Sequence, residues 1–168
     1  MKIILFLTVI AFSFSAFSQN NGLEVGDKVP DFKATAEDGS TWKSKDHIGD
    51  NYLVVYFYPA AMTGGCTKQA CTYRDYKTDI ESADATVVGI SGDNVKGLNQ
   101  FKDAYNLNFT LLSDASGKIA EIFGVPTHNG GKVSKDINGK HYELERDITA
   151  SRWTFIIDKN GKVVYKKE

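Results

Sequence analysis

The sequence predicts an α/β domain in which helices flank a central mixed β-sheet, with a β-hairpin at its N-terminus. Two runs of apolar, β-branched and aromatic residues, Tyr52–Tyr58 (YLVVYFY) and Thr86–Ser91 (TVVGIS), are typical of strands that are buried on both faces. A segment with helical periodicity follows each run, so strands and helices alternate along the chain.

The other elements are predicted from turn residues and apolar periodicity. The alternating segments Phe32–Ala36 and Thr41–Lys43 flank an Asp38-Gly39 turn and predict the hairpin. Helices are predicted over Thr67–Ala83, from an Asp93 N-cap through Tyr105, and over Ala115–Phe123, which Gly124 and Pro126 end. Short strands are predicted at Phe109–Leu112, Trp153–Ile157 and Val163–Tyr165, with a hairpin turn at Asn160-Gly161 before the last. Residues 127–150 are polar and glycine-rich, and Tyr142 and Leu144 are the candidate hairpin members there.

Residues 1–18 resemble a signal peptide. Lys2 precedes an apolar run from Ile3 to Ala16, and Ala16 and Ser18 are the small residues that a signal peptidase requires. An uncleaved anchor is the alternative, but the run is short for a membrane span, which needs about 20 apolar residues. We therefore expect cleavage after Ser18, export to the periplasm or cell envelope of a bacterium, one domain over residues 19–168, and no stable membrane insertion after cleavage.

Charge and cysteine content limit the classes of function. The formal net charge is −1 and no long basic run occurs, so we expect no nucleic-acid partner. Cys66 and Cys71 are the only cysteines, which is too few for a disulfide scaffold. The hydrophobic core must therefore stabilise the domain.

The cysteine pair lies in the segment MTGGCTKQAC (62–71), and two interpretations of it meet physical objections. A zinc site usually needs four Cys or His ligands, whereas His47, His128 and His141 are scattered, so we expect no metal and no other cofactor. A permanent disulfide is difficult because residues five apart on a helix have Cα atoms roughly 8.7 Å apart, beyond the limit of about 7 Å. Either the segment is not helical or oxidation unwinds it.

The third interpretation is redox chemistry. Cys66 is expected in the first turn of a helix, just past a buried strand, at the edge of the sheet where active sites gather. Free N–H groups and the helix dipole stabilise a thiolate there. A thiolate attacks a peroxide and becomes a sulfenic acid, with which a second thiol condenses to a disulfide. Cys71 can act in this way only if the first helical turns unfold.

Residues 56–76, YFYPAAMTGGCTKQACTYRDY, resemble the active-site segment of peroxiredoxins. Pro59, Thr63 and Cys66 match the spacing of the family signature. The second cysteine, five positions later, resembles the bacterioferritin comigratory protein or peroxiredoxin Q subgroup of the AhpC/TSA family. Three further segments, VVGISGDN, LNFTLLSDASGKIAEIFGV and SRWTFIIDKNGKVV, are similar in order and spacing, so the resemblance spans residues 23–165.

This resemblance implies a thioredoxin-like fold and a thiol-dependent peroxidase that reduces hydrogen peroxide and organic hydroperoxides. Cys66 matches the peroxidatic cysteine, and Cys71 matches the resolving cysteine of an intramolecular disulfide. Thr63 matches the hydroxyl that orients the peroxide, Pro59 the residue that shields the pocket, and Arg152 the arginine beside the thiolate. The resemblance also implies a hydroperoxide substrate, and we expect a thioredoxin-like reductant because the compartment is an exported one.

The chain departs from the subgroup in two places. Gly64 replaces the usual proline, and we expect the Gly64-Gly65 pair to ease unfolding of the active-site loop. The helix that usually follows the last hairpin is missing before Glu168, so we expect a monomer or a weak dimer that uses the less covered face of the sheet.

Two other functions stay open at this stage. One is a one-cysteine peroxidase in which Cys71 is incidental. The other is a non-catalytic thioredoxin-like binding module, against which the retained Pro59, Thr63, Cys66 and Arg152 argue. Thr63 is also a candidate helix N-cap, and Arg74 is either a partner of Thr78 or solvated. Alternation along Tyr56–Tyr58 allows at most two rings to line the site.

Overall fold

A computed structural model describes residues 22–168. The signal peptide predicted at 1–18 lies outside the described residues. The strands are β1 (Lys33–Ala36), β2 (Thr41–Lys43), β3 (Tyr52–Phe57), β4 (Ala85–Ser91), β5 (Thr110–Ser113), β6 (Thr127–Ile137), β7 (Lys140–Ala150), β8 (Thr154–Ile157) and β9 (Val163–Lys167). The helices are α1 (Gly64–Asp75), α2 (Lys77–Ser82), α3 (Val95–Tyr105) and α4 (Lys118–Phe123), with a short 3₁₀ turn at Ser44–Asp46.

The central sheet is mixed and has seven strands in the order β2-β1-β5-β4-β3-β8-β9. Strands β3, β4 and β5 run parallel, while the hairpin β1-β2 and the strands β8 and β9 add to the two sides by antiparallel pairing. The predicted α/β class, with a central mixed sheet and an N-terminal hairpin, is therefore confirmed.

Strand β3 separates two layers of core, because alternate side chains of a strand point to opposite faces. Leu53, Val55 and Phe57 pack into one cluster, together with α4 and the N-terminal hairpin. Tyr56 packs into the other cluster, which also holds Cys66 of α1 and the apolar side of α3. Both faces of this strand are thus covered, as its continuous apolar sequence predicts.

The helix that carries the cysteines differs from its prediction at both ends. We predicted one helix over Thr67–Ala83, whereas α1 begins at Gly64 and a break at Tyr76 separates it from α2. The apolar spacing could not mark this start, because Gly64 and Gly65 have no side chain to contribute to it. The earlier start places Cys66 third in the helix.

The start of α3 corrects a second prediction. Asn94, not Asp93, is the N-cap, and its side chain accepts a hydrogen bond from the N–H of Gly97 at 2.8 Å. Asp93 is instead fully buried and bonds to the loop that precedes α1. Both residues are good caps by type, so the local sequence does not distinguish them.

Residues 127–150, which we predicted to be a polar segment, form a two-stranded antiparallel sheet of β6 and β7. The turn between them is Asn138-Gly139, where φ is 51° and 76°, and two positive φ values are the signature of a tight type I′ hairpin. The suggestion that Tyr142 and Leu144 belong to a hairpin is confirmed, and both are buried against the side of the core that contains α3. Polar residues occupy the outward positions, so neither strand contains a continuous apolar run that would have predicted it.

The last hairpin turns in a wider loop than Asn160-Gly161 suggests. Gly161 has a φ of 78°, while the Asp158 carboxylate accepts hydrogen bonds from the N–H groups of Asn160 and Lys162 at 2.9 and 2.8 Å. The β8-β9 register shifts by one residue at Ile156–Ile157, just before this loop. The N–H of Asp158 donates to the carbonyl of Lys162 at 2.8 Å, so residues 159–161 form a three-residue loop next to a bulge. Within residues 22–168, none of the helices has the length and apolar character that crossing a membrane requires.

Candidate active site

The site forms where β3 ends and α1 begins, at the carboxyl edge of the parallel strands. Cys66 is 2% exposed and packs against a cluster that includes Tyr56, Tyr58 and Met62. Tyr56 and Tyr58 face this site, whereas Phe57 faces the opposite core, so the prediction that at most two rings of the run line the site is confirmed. Cys66 therefore has an apolar environment on its inner side.

Arg152 supplies the charged partner of Cys66. Its Nη2 donates a hydrogen bond to Cys66 Sγ at 3.1 Å, and its Nη1 donates to the side-chain oxygen of Gln69. The residue lies just before β8, whose antiparallel pairing with β3 brings it to the N-terminal end of α1. Residues 86 positions apart in the sequence therefore meet as the resemblance implies.

Gly65 leaves room for this guanidinium. A Cβ atom at that position would lie 3.4 Å from Nη2 of Arg152, at the tight end of ordinary contact. An alanine side chain at this position would touch the guanidinium at van der Waals distance, so the contact by itself does not require glycine.

The first turn of α1 favours negative charge at Cys66. The first helical hydrogen bond runs from the N–H of Thr67 to the carbonyl of Thr63 at 2.8 Å, so the N–H groups of Gly64, Gly65 and Cys66 precede the internal ladder. No acidic residue lies in this turn. The positive end of the helix dipole is therefore not opposed by a nearby carboxylate of α1.

The loop from Pro59 to Thr63 leads the chain into α1. Thr63 occupies the N-cap position, but its hydroxyl donates to the carbonyl of Ala60 at 2.9 Å and makes no capping bond. The prediction that Thr63 is the N-cap of α1 is therefore confirmed by its backbone position, although its side chain makes no capping bond. Met62 has a φ of 58°, a left-handed conformation that is uncommon outside glycine, asparagine and aspartate.

Cys71 lies on the same helix and is half-buried, and both thiols are free. Since α1 is continuous from Gly64 to Asp75, the two cysteines are about 7.5 Å apart along its axis. The segment is thus helical, and of our two alternatives only unwinding can bring the sulfur atoms together.

Tyr56 lies beneath α1 with its hydroxyl buried and without a hydrogen-bond partner among the described residues. Burial raises the pKa of Tyr56 well above its usual value, and neighbouring Tyr73 and Cys66 add to this effect. The phenol therefore stays neutral beside Cys66. It adds no negative charge that would oppose a thiolate there.

Gln69 is a site residue that the sequence reasoning missed. It lies three positions after Cys66, and that spacing places two side chains on one face of a helix. The spacing alone could have suggested that Gln69 orients a group that binds Cys66. Arg74, by contrast, does not reach Thr78: it bonds to Asp75 and to the carbonyl of Tyr105.

The histidines lie apart from the cysteines. His47 stacks on Trp42 with ring centroids 4.6 Å apart, and His141 bonds to Ser134 and Asp136 on the β6-β7 hairpin. In residues 22–168, no three Cys, His, Asp or Glu side chains are grouped so as to hold a metal ion.

Comparison with known proteins identifies the family of this chain. The AhpC/TSA family matches residues 25–166. Peroxiredoxin Bcp of Escherichia coli K12 is 41% identical over 143 residues, which cover 85% of this chain and 84% of that protein.

Two solved structures are similar in fold. Peroxidoxin BcpB from Mycobacterium tuberculosis has a TM-score of 0.72 and 34% identity, covering 87% of this chain and 86% of its own. The bacterioferritin comigratory protein of Xanthomonas campestris has a TM-score of 0.66 and 25% identity, covering 86% and 85%. The chain therefore belongs to the AhpC/TSA family, as a peroxiredoxin with a thioredoxin-like fold that is related to the bacterioferritin comigratory proteins and peroxiredoxin Q.

Proposed function

We propose that this thiol peroxidase reduces hydrogen peroxide and organic hydroperoxides through Cys66, and that Cys71 resolves the oxidised product. The contact between Arg152 and Cys66 at the N-terminal end of α1 carries this proposal. The Cys66 thiolate attacks one peroxide oxygen, the O–O bond breaks, and the other oxygen leaves with a proton as water or an alcohol. Cys66 is left as a sulfenic acid.

The neighbouring groups assist this displacement. Arg152 favours the thiolate and donates hydrogen bonds to the peroxide oxygens, while Gln69 holds the guanidinium in place. Thr63 orients the peroxide, and the free N–H groups of Gly65 and Cys66 stabilise the charge that develops on oxygen. Pro59 contributes no N–H donor and limits the access of water.

Resolution requires α1 to unwind. The Cys71 thiolate attacks the sulfenic sulfur of Cys66, a disulfide forms, and hydroxide leaves and takes up a proton as water. A thioredoxin-like protein then supplies two electrons and restores both thiols. Export to the cell envelope makes an exported reductant of this type the partner we propose.

Organic hydroperoxides are included because of a relative. The Xanthomonas campestris protein has alkyl peroxide reduction activity, and its fold and size correspond to those of this chain. A one-cysteine peroxidase is the second candidate, because the intact α1 keeps Cys71 away from Cys66. In that case an external thiol resolves the sulfenic acid directly.

The first prediction separates the two candidates. One equivalent of hydrogen peroxide should lower the mass of the reduced protein by about 2 Da, because an internal disulfide removes two hydrogens. The Cys71→Ser variant should instead gain one oxygen as the Cys66 sulfenic acid, and a second equivalent should convert this acid to sulfinic acid. A wild-type protein that forms sulfinic acid as readily as this variant would support the one-cysteine peroxidase, and absence of rapid oxidation would contradict both.

The second prediction concerns Arg152. Arg152→Ala should slow the reaction of Cys66 with hydrogen peroxide about ten- to a hundredfold, because a hydrogen bond to a charged group is worth about 1.5–3 kcal/mol. Stopped-flow fluorescence of the adjacent Trp153 measures this rate. Arg74→Ala is the matched control, since it removes a guanidinium that does not contact Cys66. Equal slowing in the two variants would show a general charge effect.

The third prediction concerns Gly64, which is the first residue of α1. A Cβ at this position meets no atom within 4 Å, and the ψ of 150° at Thr63 suits a residue that precedes proline. Gly64→Pro should therefore stabilise the folded protein by about 0.4–1 kcal/mol and slow disulfide formation about two- to fivefold. Gly64→Ala should show a smaller effect on both. Quench-flow alkylation measures the second step, and unchanged resolution in Gly64→Pro contradicts the expectation.

The fourth prediction concerns residues 1–18, for which we propose the role of a cleaved signal peptide. The protein expressed in a Gram-negative bacterium should be recovered from the periplasm with Gln19 as its first residue, as mass spectrometry of the intact protein reveals. Leu5→Arg, which interrupts the apolar run, should retain the full-length chain in the cytoplasm. Recovery of wild type with residues 1–18 attached excludes cleavage at this site.

A further inference from the structure

The short loop before α1 is held in an unusual conformation. Met62 has a φ of 58° and is 1% exposed, so this left-handed residue must be fixed by its surroundings. Two hydrogen bonds fix the loop: the Thr63 hydroxyl donates to the carbonyl of Ala60, and the N–H of Ala61 donates to the Asp93 carboxylate, both at 2.9 Å. The first bond is internal to the loop, so Asp93 is the group that ties it to the sheet.

Asp93 is itself firmly placed. It lies two residues beyond β4 and has no exposed surface. The Ser91 hydroxyl donates to the carboxylate at 2.8 Å, and the Ser113 hydroxyl donates to the backbone carbonyl of Asp93 at 2.7 Å. The anchor thus belongs to the ends of β4 and β5, which are central and buried strands.

The burial of this carboxylate has an energetic cost. Burial raises the pKa of Asp93, while the hydrogen bonds from Ala61 and Ser91 and the charge of Arg146 act in the opposite direction. The role that we expected for this side chain, capping α3, is filled by Asn94. The contact with Ala61 is therefore the one that links this buried carboxylate to the active site.

We propose that Asp93 is a positioning residue of the peroxidase reaction: through the N–H of Ala61, its carboxylate sets the loop that presents Thr63 and Cys66 to the peroxide and keeps the first turn of α1 wound. This inference rests on the proposed function of Cys66. It assigns Asp93 no contact with the peroxide or with the reacting sulfur.

Opposite effects on the two chemical steps follow from this role. Loss of the anchor lets Met62 leave its left-handed conformation and turns the Thr63 hydroxyl away from the peroxide, which slows attack by Cys66. The same loss makes the first turn of α1 easier to unwind, which speeds disulfide formation. Damage to the fold in general would slow both steps.

The test compares Asp93→Ala with Asp93→Asn. In Asp93→Ala we expect sulfenic acid formation to slow about tenfold and disulfide formation to accelerate several-fold, since a hydrogen bond to a charged group is lost. Asp93→Asn keeps an oxygen that accepts from both Ala61 and Ser91, so both rates should stay within about threefold of wild type. Single-turnover stopped-flow with hydrogen peroxide measures each step.

Two further variants complete the test: one is a control, and the other can replace Asp93→Ala. Ser113→Ala removes a bond to the backbone of Asp93 but leaves the carboxylate in contact with Ala61, so both rates should resemble wild type. Ser91→Ala removes one support of the carboxylate and should shift both rates in the same directions as Asp93→Ala, but less. If Asp93→Ala does not fold, the two rates of Ser91→Ala test the role of Asp93 instead.

Hydrogen exchange of the reduced proteins provides a readout that needs no peroxide. Peptides that cover residues 59–67 should exchange faster in Asp93→Ala, and at the wild-type rate in Asp93→Asn and Ser113→Ala. Unchanged exchange in Asp93→Ala, or equal slowing of both chemical steps, would overturn the assignment. If wild type does not react with peroxide, the proposed function fails, while the exchange data still decide whether Asp93 anchors the loop.

Discussion

The separation of the two cysteines on one helix, α1, is the constraint on which the proposed chemistry depends. Cys66 and Cys71 both lie on α1, five positions apart, and an intact helix holds their backbones too far apart for a disulfide. The same helix gives Cys66 its reactive setting, through its dipole and its free N–H groups. In the proposed cycle, the conformation that activates the first thiol therefore excludes the second, and the two steps need different states of the same segment.

The residues in and around α1 suit both states of the proposed cycle, the wound helix and the unwound segment. Arg152 and Gln69 form hydrogen bonds to and around Cys66, and Asp93 ties the preceding loop to the central strands, so the wound state is well defined. The helix begins with Gly64 and Gly65, which lose more conformational freedom on folding than other residues do. Its first turn thus combines specific tertiary contacts with a weak intrinsic preference for helix. This combination suits the unwinding and rewinding that the proposed cycle requires.

Much of this arrangement could be predicted from the sequence, because strong local signals marked it. The apolar runs of β3 and β4 predicted the sheet, and the match of Pro59, Thr63 and Cys66 to the peroxiredoxin signature implied the site. The sequence-based predictions were wrong or incomplete where the deciding contact joins residues that are far apart in the chain. Asp93 and Asn94 are equivalent as caps until Ala61 is folded against one of them. The polar outward face of β6 and β7 concealed a hairpin whose inward residues, Tyr142 and Leu144 among them, meet the core. The spacing places Gln69 on the helix face of Cys66, but its contact with Arg152 joins residues that are far apart in the sequence.

The most direct test of this account is the backbone conformation of residues 64–71 in the oxidised protein, observed by NMR through the Cα chemical shifts. The reduced protein should show helical shifts from Gly64 to Asp75. After oxidation by one equivalent of peroxide, we expect a Cys66–Cys71 disulfide and loss of helical shifts around both cysteines, with the shifts of β3 unchanged. A disulfide between these residues with the helical shifts retained would contradict it.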